Sequence, residues 1–358
     1  MSEEIVPFQV AVPDDDLADL RDRLGRARFA PEPRGGDRGY GVPDAFVRRL
    51  VDYWRDQYNW REWERRLNAY PQFTTTLDGA NVHFLHIRSP EPESLPLILV
   101  HGWPGSVAEY LDVLGPLSDP RAHGLDPAVA FDLVVPSLPG FGWSGPTPDV
   151  GWGPRRTARA FVGLMRRLGC KRFGAAGNDW GSFVAPEMAR EAGEEAVGVH
   201  VTQVFPAGPG EVRNSPYGHV HAEQPQTLAH ALADSPVGLL AWNGQCMGDL
   251  DADALLTHVT IYWVTGTAGS APRIYAEEDR QQPPSGPTTI PPGLRAPIAL
   301  AQFPNDWPSD RALAERQDAN VVSWNVYDRG GHYAARQAPD LLVKDIRDFF
   351  GNLLGHPR

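Results

Sequence analysis

Residues 177–181 read Gly177-Asn178-Asp179-Trp180-Gly181. A Gly-x-nucleophile-x-Gly run marks a sharp turn from a strand into a helix, which pushes its middle side chain out over the sheet edge. Glycine leaves room for such a turn and lets strand and helix approach. Residues Arg172–Ala176 can form the short buried strand, and Ser182–Glu194 the helix. The middle residue is an aspartate, where a serine is usual. A carboxylate held there can attack carbon and form an ester. This chemistry points away from serine esterases, and no Gly-x-Ser-x-Gly occurs in the chain. It points towards opening a carbon–oxygen or carbon–halogen bond. The competing reading is a surface turn in which aspartate caps the helix, so the remaining residues decide.

An aspartyl ester needs a base, an acid to orient it and donors for an oxyanion. His101-Gly102-Trp103-Pro104-Gly105-Ser106 follows an apolar strand-like run. Glycine and proline shape a loop in which a backbone N–H, here that of Trp103, can face a developing oxyanion. In α/β-hydrolases the second donor is the N–H after the nucleophile, here Trp180. His332, in Asp328-Arg329-Gly330-Gly331-His332-Tyr333, follows the last strand candidate. Asp306, in Phe303-Pro304-Asn305-Asp306-Trp307-Pro308, follows the strand before it. Nucleophile, acid, histidine is the α/β-hydrolase chain order. Asp310 and Asp328 compete for the acid role. Asp310 suits the start of the next helix, and Asp328 shares a loop with His332.

These loops need a sheet to hold them. Residues 13–24 place Leu17, Leu20 and Leu24 on one helical face. The aromatic-rich stretch 43–67 reads as one further helix. Phe73–Leu77 and Val82–His86 are strand-like around a turn at 78–81. Leu95–Val100 and Phe131–Val135, the latter broken only by Asp132, are apolar strands, Gly198–Val204 is a further strand, and Arg156–Leu168 reads as a helix. Largely apolar strands alternating with helices indicate a parallel sheet buried on both faces. Residues 206–293 interrupt the alternation with helical pieces at Thr227–Ala233 and Asp253–Trp263. It resumes with Pro297–Phe303, Asp310–Gln317, Val321–Val326 and Ala338–Phe350. The expected class is α/β: an α/β-hydrolase fold with a mostly parallel central sheet, helices on both faces, an inserted helical lid and an N-terminal helical arm. The expected divisions are an arm over 1–70, core over 71–205, lid over 206–293 and core again over 294–358.

Bulk properties narrow the partners. A net charge of −12 argues against nucleic acid or an anionic membrane surface. Cys170 and Cys246 are the two cysteines; they form no metal-type spacing and suit a reducing compartment. The opening Met1-Ser2-Glu3-Glu4-Ile5 lacks a basic and then apolar leader, and no apolar run reaches membrane-spanning length. A cytoplasmic protein is expected.

Taken together, these motifs resemble the microsomal-type branch of epoxide hydrolases, over nearly the full length. Pro7-Phe8-Gln9-Val10 and the helical arm resemble that family's N-terminal extension. His101–Ser106, Gly177–Ser182, Asp234-Ser235-Pro236-Val237-Gly238-Leu239 and Arg329-Gly330-Gly331-His332 match its motifs, and Asp345–Phe350 fits its final helix. The resemblance implies Asp179 as nucleophile, His332 as base and Asp306 as acid, a position that is often glutamate in the animal enzymes. It implies two lid tyrosines that hold the epoxide oxygen: Tyr275, and Tyr217 with Tyr262 as its substitute. One departure is that the animal members carry a membrane-anchoring N-terminal helix. The substrate implied is a small-molecule epoxide, with neither metal nor organic cofactor, no nucleic acid and no membrane anchor, and with a homodimer allowed. Phe141, Trp143 and Phe205, with Trp103 and Trp180, suggest an aromatic pocket for an apolar or aromatic epoxide. The rival readings are a haloalkane dehalogenase, which needs halide-binding donors in place of lid phenols, and a non-catalytic binding protein of the same fold, which would have lost part of the triad.

Overall fold

In a computed structural model, residues 4–35, 38–204, 215–281, 290–291, 293–316 and 320–356 are described. Strand β1 (Val6–Phe8) is followed by helices α1 (Asp14–Gly25), α2 (Asp44–Asp56) and α3 (Trp60–Leu67). The hairpin β2 (Gln72–Leu77) and β3 (Ala80–Ile87) leads into β4 (Leu95–Val100), α4 (Leu111–Ser118) and β5 (Phe131–Pro136). Next come α5 (Pro154–Arg167), β6 (Phe173–Gly177), α6 (Trp180–Ala192) and β7 (Ala196–Val201). Among the described residues, five helices intervene: α7 (Pro216–Glu223), α8 (Pro225–Asp234), α9 (Pro236–Met247), α10 (Ala252–Val264) and α11 (Arg273–Gln281). The chain then returns as β8 (Ile298–Gln302), α12 (Arg311–Arg316), β9 (Val321–Val326), α13 (Ala334–Gln337) and α14 (Pro339–Leu353).

The strands form one sheet in the order β1-β2-β3-β5-β4-β6-β7-β8-β9. β1, β2, β3 and β5 pair antiparallel in turn, and every pairing from β5–β4 to β8–β9 is parallel. The order reverses around β4, which lies between β5 and β6. The carboxyl ends of strands beside such a switch point open a crevice where ligands bind. β4 shows why the sheet holds: Leu97, Ile98, Leu99 and Val100 are at most 1% exposed. Ile98 and Val100 pack with Phe161, Val184 and Met188 from α5 and α6 on one face. Leu97 and Leu99 pack with Leu114, Ile346 and Phe350 from α4 and α14 on the other. Apolar residues on both sides of a strand require helices on both sides of the sheet.

The structure departs from the sequence reading in several places, among them α4 and α13, which the sequence reading lacked. The helix read over 43–67 is two, because Gln57 to Asn59 turn the chain, and the Asn59 side chain caps α3 by accepting from the Arg61 N–H. β1 had no signal: it is three residues long and contains Pro7, which an edge strand tolerates because one side needs no ladder donor. Between β7 and β8 the sequence suggested two helices, and the described residues hold five. α7, α8 and α9 each begin with proline at the first turn, a position that proline suits. Gly238 and Gly244 blur the periodicity of α9, and the charges of α11 mask its short buried face, Ile274 to Glu277. No helix among the described residues is long and apolar enough to cross a membrane.

Candidate active site

β6 runs into Asn178 and then Asp179, whose φ is 55°, and α6 starts at Trp180. A non-glycine residue in that region carries strain that its surroundings must hold. Space is the first constraint: a Cβ on Gly181 would lie 1.8 Å from the Val100 carbonyl oxygen, so α6 can start this close to β4 only at glycine. Hydrogen bonds are the second. The Asp179 N–H donates to Gln203 Oε1 at 2.8 Å, and the Asn178 N–H to the Val100 carbonyl at 3.1 Å.

The loop after β4 meets this elbow. The Trp103 N–H donates to Asp179 Oδ1 at 2.8 Å, and the Trp180 N–H also bonds the carboxylate. A Cβ on Gly102 would lie 2.1 Å from Oδ1, so glycine there leaves the carboxylate its place. Oδ2 lies 3.8 Å from His332 Nε2. His332 Nδ1 hydrogen-bonds Asp306 Oδ1 at 2.7 Å. The same Oδ1 accepts the Trp307 N–H at 2.8 Å, and Asp306 Oδ2 accepts Gln203 Nε2 at 2.5 Å. The structure thus brings Asp179, His332, Asp306 and the Trp103 and Trp180 N–H groups together. Asp310 directly precedes α12, and Asp328 is exposed.

The charges explain each other. Burial pushes the Asp179 carboxyl above its ordinary range, while His332 and the Trp180 and Trp103 N–H groups pull it back. For His332 burial opposes the imidazolium. The charge and hydrogen bond of Asp306 outweigh it, Asp179 and Glu109 add to them, and the pKa is pushed up to about 9. Glu109, 3% exposed, is pushed up to about 8 by burial, against the pull of its bond from Asn178 Nδ2 and of His332.

α7 and α11 bring Tyr217 and Tyr275 over the elbow. Their ring centres are 6.3 Å apart, and they lie 5.2 Å and 5.9 Å from the Trp103 ring. Tyr275 also meets Trp180 edge-on at 4.7 Å. Burial, with the Asp179 charge as a smaller cause, raises both phenols well above their ordinary range, so they remain proton donors. Tyr262 is placed differently: its hydroxyl donates to the Gly105 carbonyl at 2.7 Å. A cavity of about 320 Å³ is lined by Trp103, Tyr217, Cys246, Asp306, Trp307 and His332 among others.

Two expected pocket residues sit elsewhere. Trp143 packs on Phe8 and His83, because the segment after β5 folds back over the antiparallel edge. Phe141 is wedged between His101 and Tyr262, 1% exposed. Neither is among the described residues lining the cavity. Phe205 lies outside the described residues. Gln203 and Glu109 had no motif to reveal them, and Asn178 stood only at a variable position of the elbow motif. The available signal was a run of polar residues, Thr202 and Gln203, directly after an apolar strand.

Comparison with known proteins gives the family. Residues 5–110 match the family model described as epoxide hydrolase N terminus, and 96–204 match that of the alpha/beta hydrolase fold. A protein of Stigmatella aurantiaca named as an epoxide hydrolase is 38% identical, over 98% of this chain and 85% of its own length. The chain belongs to the epoxide hydrolase family. Epoxide hydrolase 1 of Sus scrofa is 31% identical, over 98% of this chain and 89% of its own. The structure of the Aspergillus niger epoxide hydrolase superposes with a TM-score of 0.85 at 29% identity, over 98% of this chain and 97% of that one. The motif resemblance thus extends over nearly the whole chain. This epoxide hydrolase is an enzyme of the α/β-hydrolase fold acting on a small-molecule epoxide, and the dehalogenase and binding-protein readings are set aside.

Proposed function

We propose that the enzyme opens its epoxide through a covalent ester on Asp179. Asp179 Oδ2 attacks a ring carbon and the carbon–oxygen bond breaks. Tyr217 and Tyr275 donate hydrogen bonds to the leaving oxygen, and one of them protonates it. The product of this step is a hydroxyalkyl ester. His332, oriented by Asp306, then takes a proton from water, whose oxygen attacks the ester carbonyl carbon. The Trp103 and Trp180 N–H groups hold the resulting oxyanion. Collapse releases a vicinal diol and restores the carboxylate, the proton taken by His332 returns the tyrosinate to its phenol, and no step calls for a metal or an organic cofactor. The Trp103, Trp307 and Tyr217 rings beside the reacting groups favour an apolar or aromatic epoxide. Residues 1–70 then serve as an arm, 206–293 as a lid, and 71–205 with 294–358 as the core. The reading includes a cytoplasmic enzyme and allows a homodimer.

One observation carries the reading: Asp179 Oδ1 is held by the Trp103 N–H, while Oδ2 lies 3.8 Å from His332 Nε2. The test is a single turnover in heavy-oxygen water. The label should enter the Asp179 carboxylate and be missing from the first diol. Label in the first diol would show direct attack by water and overturn the covalent route.

A further inference from the structure

Gln203 lies beyond the end of β7 and is fully buried. Its orientation follows from its partners, because a primary amide donates only from nitrogen and accepts only at oxygen. Oε1 accepts from the Asp179 N–H at 2.8 Å and the Ser182 hydroxyl at 2.9 Å. Nε2 donates to Asp306 Oδ2 at 2.5 Å and to Asn178 Oδ1 at 2.8 Å. One side chain therefore joins the backbone of the proposed nucleophile to the free oxygen of the proposed acid, across 24 residues on one side and 103 on the other.

Asp306 needs such a donor. Its side chain is 1% exposed, and His332 Nδ1 and the Trp307 N–H both go to Oδ1. A buried carboxylate oxygen left unpartnered is costly. Oδ2 would otherwise rotate towards whatever donor it could find, and Oδ1 would move off His332. We propose that Gln203 is a positioning residue for the hydrolytic half-reaction: its amide holds Asp306 in the orientation that His332 Nδ1 requires and ties it to the elbow of Asp179. This rests on the covalent route above. The titratable groups around the amide are Asp179, Asp306 and, through Asp306, His332; Asn178 links it to Glu109.

The test uses the full-length enzyme, a styrene-type epoxide and single-turnover kinetics that separate ester formation from ester hydrolysis. Gln203→Met keeps the length but removes both the donor to Asp306 and the acceptor of the Asp179 N–H; the tie to the elbow serves both steps, whereas the orientation of Asp306 serves hydrolysis alone. Hydrolysis should slow about tenfold or more, the scale of a lost hydrogen bond to a charge, and ester formation distinctly less. Gln203→Glu keeps an oxygen for the Asp179 N–H, but it can donate to Asp306 only while a proton is shared between the two carboxyls. Its hydrolysis rate relative to the parent should be highest at acid pH and fall as the pH rises and that proton is lost. An amide that only fills space or only supports the elbow predicts otherwise: Gln203→Met slows both steps equally or slows neither, and Gln203→Glu keeps the parent's pH profile. Either result overturns the proposal, and if one variant fails to fold the other decides. If the parent itself forms no ester, the covalent route has failed and takes this inference with it, a result distinct from equal slowing of two observed steps.

Discussion

The two oxygens of Asp179 are not equivalent. Oδ1 already accepts the Trp103 N–H, and Oδ2 faces His332. In the proposed route, attack through Oδ2 would leave Oδ1 as the ester carbonyl oxygen, seated on the donors that the tetrahedral oxyanion needs. Donors in place before the charge develops cost no reorganisation when it does. Electrostatics divides the two half-reactions. Attack needs Asp179 ionised, which burial opposes and the His332 imidazolium favours. Hydrolysis needs His332 neutral, yet its pKa is pushed up to about 9, against the pull of burial, by Asp306 first and also by Asp179. Esterification turns the Asp179 charge into a neutral group and removes one of those causes. Two outcomes follow. Hydrolysis of the ester should accelerate with rising pH through a His332 pKa lower than that of the free enzyme; histidine NMR of the free enzyme, set beside single-turnover rates, checks this. His332→Gln should accumulate the ester, visible as one added substrate mass. Without the cation, its Asp179 pKa rises, so its ester formation should be lost as the pH falls through that raised value. An acid-side rate equal to the parent's would show that His332 does not keep the nucleophile ionised.

The elements place these groups through a division between sheet and lid. β4, β6, β8 and β9 deliver Trp103, Asp179, Asp306 and His332 to one sheet edge, and α7 and α11 bring Tyr217 and Tyr275 over it. α10 fixes the oxyanion loop, since the Tyr262 hydroxyl donates to the Gly105 carbonyl and His258 Nδ1 bonds the Ser106 hydroxyl. Tyrosine variants should therefore separate by element. Tyr217→Phe and Tyr275→Phe should each slow ester formation by about 3 kcal/mol, roughly a hundredfold, as for other oxyanion donors. The double variant should nearly abolish it while sparing hydrolysis of a preformed ester. Tyr262→Phe should instead lower stability by about 1 kcal/mol, because it leaves a buried carbonyl without its donor. Rapid-quench mass spectrometry and urea denaturation check the two. A double variant that forms ester at the parent's rate would remove the phenols from the mechanism. The sheet was legible in the sequence because apolar runs such as Leu95–Val100 end in loops of glycine, proline and chemistry. The segment between β7 and β8 was less so: α7, α8 and α9 begin at proline, and α11 is short with a narrow buried face. Tyr217 and Tyr275 had to come from resemblance, and the polar pair Thr202-Gln203 could not reveal the role of Gln203, because that role depends on where Asp306 lands 103 residues later.

At the scale of the whole molecule, the N-terminal helices hold α10, and α10 holds the oxyanion loop. Trp54 Nε1 donates to Thr260 Oγ1 at 2.9 Å, the Tyr58 hydroxyl bonds Thr257 Oγ1 at 2.8 Å, and the Tyr53 hydroxyl donates to Asp253 at 2.9 Å. All three partners lie on α10. Arg336, on α13, adds a tie by binding both Asp112 of α4 and Asp251 at the start of α10. The many aromatics of residues 43–67 are thus explained: several are the contact surface for a helix that would otherwise lie on the sheet edge with one face bare. Trp54 is 3% exposed and packs in the same cluster as Trp103, Tyr262 and Tyr275. Trp54→Ala would remove both the buried ring and the bond to Thr260, and should cost about 3–5 kcal/mol of stability, as other large core truncations do. Tyr58→Phe removes only a hydroxyl and should cost about 1 kcal/mol. Urea denaturation of the two variants checks the ranking. The more telling readout is ester formation measured on the fraction of Trp54→Ala that remains folded. If the N-terminal helices hold the lid in register, ester formation should slow in that fraction although the substitution is remote from Asp179, because a small displacement of reacting groups is costly in rate. A folded Trp54→Ala enzyme that forms ester at the parent's rate would reduce those helices to a contribution to stability alone.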